Sequence, residues 1–143
     1  MKANLAPVFG RCMIALVFVL SAIMKIVGFS HTAAQMAEKN LPMVEVLLVV
    51  SIIIELTAAL MIMLGWRARL GALALLLWMI PVTVLYHNFW TMVDMEQFIN
   101  RIMFLKNISL MGAMLYIISY GSGRYSLDNL HRSPVPQGKA SKI

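Results

Sequence analysis

Three ionisable side chains stand inside oily runs of this chain: Lys25, Glu55 and Lys106. Each charge costs about 2.5–3.5 kcal/mol near the middle of a membrane helix, so its presence points to function. Ammonium groups beside a carboxylate can hold the oxygens of an apolar ligand and can accept or pass a proton. Asn107, Ser21 and Ser109 are uncharged companions in the same runs. His87, within "YHNFW", and His31 stand at the rim; His87 there is a proton donor or acceptor, or a neutral ring bonded to backbone.

Depth and lean bring the three charges toward one layer. A rise of about 1.5 Å per residue places Lys25 roughly 10 Å and Lys106 roughly 5 Å outward of the midplane, with Glu55 close to the centre. Side chains lean toward their helix N-terminus. Lys25 therefore leans inward, while Glu55 and Lys106 lean outward. The expectation is that Glu55 answers Lys25 and that Lys106 shares it; snorkelling to the headgroups is the alternative for both lysines. Arg11 lies about four turns below Lys25 on nearly the same face, placed to pair with a lipid phosphate or with a tail carboxylate such as Asp128.

The elements that must position these groups are membrane helices. Of the 143 residues 61% are hydrophobic and 13% charged, against roughly 45–50% and about 25% in a soluble domain. Four runs, 7–29, 42–64, 70–86 and 102–120, are long enough to span a bilayer. They show no strand alternation, so the fold class is an all-α integral membrane four-helix bundle. Pro7 suits a helix start, Gly65 a C-cap, and Pro81 a bend in the third span. Ser109, Gly112 and Ala113 offer a small-residue packing face. Lys2, Arg11, Arg67, Arg69, Arg124 and Arg132 fall on one side, with Lys39 and Arg101 on the other, which puts both termini in the cytoplasm. Residues 1–132 then form the membrane domain and 133–143 a mobile cytoplasmic tail.

The net charge of +6 comes without any nucleic-acid motif and reads as topology signal and lipid contact. The single cysteine, Cys12, excludes an internal disulfide and a thiolate metal cage. No span offers a deep histidine for haem, and one deep carboxylate is too few for zinc or di-iron. The outer His31, Met36, Met43, His87, Met92 and Met95 are copper-type ligands, but 13 methionines in an oily chain make that a chance grouping. No built-in cofactor or metal site is expected.

In order along the chain come "GR" at 10–11, "SAIMKIVGF" at 21–29, "LP" at 41–42, "IIELTAALMIMLGWRAR", "HNFW", "FLKNISLMGAML" and "GSGRYSLD". Taken together they resemble the DoxX family of small four-helix membrane proteins, over nearly the whole chain to Asp128. The resemblance implies a bacterial inner-membrane location and association with quinone-linked redox complexes. The functional expectation is a redox-associated subunit binding a quinone or similar apolar ligand at Lys25, Glu55 and Lys106, with Asn107 and His87 assisting. Its partners would be membrane lipid and either further copies of itself or the other subunits of a redox complex. The alternative is a non-catalytic scaffold, assembly factor or lipid-handling protein, in which the same charges fix helix register. A small transporter using Glu55 as its proton site is a third reading.

Overall fold

A computed structural model describes residues 5–130; the proposed tail, 133–143, lies outside them. The order is α1 (Ala6–Val27), α2 (Phe29–Glu38), α3 (Val44–Leu64), α4 (Ala68–Tyr86), a 3-10 turn (Phe89–Thr91), α5 (Asp94–Tyr120) and the single turn α6 (Leu127–Leu130). α1, α3, α4 and α5 are long and apolar enough to cross a membrane, and no strand occurs among the described residues. Each packs against the next in the order α1, α3, α4, α5. Large apolar side chains such as Val27, Leu77 and Leu115 face outward, as a lipid-covered surface requires.

Small residues set the helix spacing. Ala15 and Ala22 of α1, Ala58 and Ala59 of α3, and Ala68 and Ala72 of α4 are all buried. A Cβ added at Gly71 would stand 2.8 Å from the Ala58 carbonyl oxygen, so α3 and α4 meet there backbone to backbone. Phe18, Ile62, Leu75, Met79, Met114 and Ile117 fill the core around them.

The span ends follow local chemistry with three differences. The first span breaks early: α1 stops at Val27, Gly28 interrupts it, and α2 continues as a separate helix. Gly28 donates its N–H to the Met24 carbonyl of α1 and accepts from the Thr32 N–H and hydroxyl of α2, which holds the two pieces together. α4 begins at Ala68 rather than at 70. α5 begins at Asp94, well before 102, because the polar first turns of that helix protrude past the apolar run. At the other end of α3 the expected cap is present. Gly65 has φ +66, with its N–H bonded to the Ile62 carbonyl and the Trp66 N–H to that of Met61.

The small-residue face of α5 is not used for packing within the chain. A Cβ at Gly112 would meet nothing within 4 Å, and Ser109 is exposed with its hydroxyl turned back to the Leu105 carbonyl. α5 packs instead through Asn107, Met114 and Ile117.

Candidate functional site

Lys25 and Glu55 form an ion pair between α1 and α3. α3 is 21 residues long and Glu55 is near its middle, with a side chain 6% exposed. Lys25 is in the last turn of α1, where the carbonyl-rich helix end favours a cation. Its Nζ donates to Glu55 Oε1 and, at 2.9 Å, to Ser51 Oγ. Ser51 Oγ in turn donates to the same Oε1 at 3.2 Å. The result is a closed triangle in which Oε1 takes two donors and the buried Oε2 takes none. Ser51 lies one helical turn before Glu55 on one face of α3; that i, i+4 spacing is the signal that would have found it.

Lys106 does not join the triangle. It is exposed on α5, and its ammonium donates to Met103 Sδ at 3.4 Å. The reason is register: Asn107 Nδ2 donates to Thr83 Oγ1 at 3.1 Å, and Thr83 is three residues from the end of α4. Lys106 therefore sits near the end of the bundle that holds the α4–α5 connection, on an exposed flank of α5. Asn107 is buried, but its partner is the Thr83 hydroxyl; nothing in the sequence signals that pairing.

His87 likewise stays apart from the pair. Its Nδ1 is 3.0 Å from Asn100 Oδ1, and the Asn100 amide donates to the Glu96 carbonyl. This fastens the α4 end to the first turns of α5, beside the edge-to-face rings of Phe89, Trp90 and Phe104. His87 is thus part of a fastening between the end of α4 and the start of α5. Among the described residues no group of three or more His, Cys, Asp or Glu could hold a metal ion.

At the opposite end Arg11 is buried, and Nη2 donates to the Tyr125 carbonyl at 2.7 Å. Asp128, one of its two expected partners, is close enough to act on Arg11 electrostatically, and its carboxylate also bonds α4 and Ser122. Asp128 Oδ1 accepts the Arg67 N–H at 2.6 Å, and Oδ2 accepts the Ala68 N–H at 3.3 Å and the Ser122 hydroxyl at 3.0 Å. Asp128 therefore caps α4 from 60 residues away, and its own N–H bonds the Gly65 carbonyl. The "GSGRYSLD" segment thereby ties the end of α5 to the α3–α4 turn and to α1.

The DoxX family model matches residues 6–88. The Escherichia coli inner membrane protein YphA is 31% identical over 118 residues, which is 82% of this chain and 84% of that protein. The Escherichia coli inner membrane protein YqjF is 28% identical over 120 residues, 84% of this chain and 87% of that protein. No solved structure gives a significant match.

Proposed function

The chain belongs to the DoxX family and is an inner membrane protein, and on that footing we propose that it serves quinone-linked membrane redox machinery as a small subunit. Its Lys25–Ser51–Glu55 triangle receives the polar end of a quinone or quinol. The observation that carries this reading is a pair of unfilled hydrogen-bonding positions side by side. Glu55 Oε2 is buried without a donor, and the Lys25 ammonium has three N–H groups with two acceptors. A quinol hydroxyl answers both at once, donating to Oε2 and accepting from Nζ. A quinone carbonyl answers the ammonium alone.

The Lys25 side chain stays 23% exposed at the lipid-facing margin, which leaves an approach for a membrane-dissolved ligand. What this chain's own residues supply is binding, orientation and a carboxylate that can take a quinol proton. The electrons of the couple go to a partner redox protein.

The test is extraction of detergent-purified wild type and Glu55→Gln with organic solvent, with quinone and lipid counted per chain by mass spectrometry. Near-stoichiometric quinone in wild type that is lost in the variant is the expected result. Ordinary phospholipid in equal amounts in both, and no quinone, would sink the proposal.

One observation favours the second reading, a non-catalytic scaffold whose triangle fixes the α1–α3 register. Two hollows of the bundle lie at its ends, one lined by Ser122 and the other by Glu45, and neither is lined by the pair. On that reading Glu55→Gln lowers stability and leaves the bound-molecule profile unchanged.

A further inference from the structure

The end of the bundle that holds the Gly65 and Gly121 turns contains a buried cation, Arg11, with Asp128 as its nearby counter-charge. Arg11 is 5% exposed, and only its Nη2 has an acceptor; Nε and Nη1 are buried with none. A guanidinium in this state is costly and projects positive potential onto the groups around it. Gly65 makes its placement possible. A Cβ there would lie 3.1 Å from Arg11 Nη1 and 2.5 Å from Ser126 Cβ, so the guanidinium and Ser126 both close on Gly65.

Ser126 also lines a polar hollow of about 300 Å³, together with Arg69, Ser122, Asn129 and Asp128. Arg69 is exposed and held in place: Nη2 donates to the Ser119 carbonyl at 3.3 Å. The chain at Gly121 has φ +78, and a Cβ there would come 3.3 Å from Arg69 Nε, so glycine lets the guanidinium lie against the backbone. Asp128 is the one carboxylate present. Both its oxygens are engaged, by the first N–H groups of α4 and by Ser122, which blunts its repulsion of an anion. Two guanidinium groups against one engaged carboxylate leave the hollow positive.

Its depth is that of lipid headgroups. Tyr120, which lines it, is 73% exposed, and Trp66 beside the α3–α4 turn is 51% exposed, the pattern of an interfacial aromatic belt. We propose that this hollow binds a phosphate group, with Arg69 as its direct ligand, Asn129 as a neighbouring donor, and Arg11 supplying charge from beside Gly65. The phosphate belongs either to an anionic phospholipid headgroup or to a free anion, and the two sources separate experimentally.

The delipidated chain in neutral detergent is titrated with phosphatidylglycerol, with phosphatidylcholine and with inorganic phosphate, and bound lipid is read by native mass spectrometry. Saturable phosphatidylglycerol binding that Arg69→Gln weakens about tenfold, the loss of one charge-assisted partner, is the expected result. Arg69→Lys falls between the two, since it keeps charge and loses the fork. Lys39→Gln, the same charge change on an exposed residue outside the hollow, leaves binding as in wild type. Phosphatidylglycerol binding that inorganic phosphate does not displace assigns the site to a headgroup; displacement assigns it to a free anion. If phosphatidylglycerol binds no better than phosphatidylcholine, or if Arg69→Gln binds it like wild type, the proposal is overturned.

Discussion

Lys25 and Glu55 meet across the α1–α3 interface through one carboxylate oxygen, which Ser51 also uses, while the second oxygen stays empty. The pair is therefore both a fastening and an unfinished hydrogen-bond set. Removing one partner strands the other. Glu55→Gln leaves an ammonium answered only by neutral groups and is expected to cost about 3 kcal/mol, whereas the double variant Lys25→Met with Glu55→Gln recovers much of that loss. Denaturant unfolding in micelles, read as a double-mutant cycle, measures it. Strictly additive single effects would remove the ion pair from any account of stability.

Two glycines give opposite expectations. Gly65→Ala forces a side chain into φ +66 and onto Ser126, so it should cost about 2 kcal/mol and loosen the closing segment from Arg11. Gly112→Ala enters open space on a regular helix and should be neutral or stabilise by up to about 1 kcal/mol. Thermal unfolding of the two variants in one detergent compares them directly.

Neighbouring residues on α5 separate in the same way. Lys106→Gln, at an exposed flank, should change stability by less than about 0.5 kcal/mol. Asn107→Ala removes the interhelical bond to Thr83 and should cost about 1 kcal/mol. Equal losses would mean that Lys106 has a partner in the assembled membrane protein.

Orientation rests on the distribution of lysine and arginine. Arg67, Arg69 and Arg124 lie at the same end as the start of α1 and the α6 turn, so that end should be cytoplasmic. Alkaline phosphatase fused after Ile143 should be inactive, and inserted after Lys39 it should be active. The reverse pattern would invert the bundle.

The sequence by itself determined the four spans, because apolar run length and backbone satisfaction in lipid leave no other solution. It also determined the Gly65 cap and singled out Glu55, whose cost at mid-helix is a local property of type and position. The break at Gly28 and the early start of α5 were less legible, since neither changes the apolar pattern much. What only the tertiary structure decided was which charges meet. α1 packs on α3 through alanines and carries Lys25 to Ser51 and Glu55, whereas the Asn107–Thr83 register turns Lys106 to an outer flank. Nor could spacing foresee that Asp128 caps α4 across 60 residues, or that Arg11 bonds the Tyr125 carbonyl. Periodicity fixes the face and depth of a side chain on its own helix. The partner depends on how helices rotate and slide against one another, and that is set by the sum of many small packing contacts.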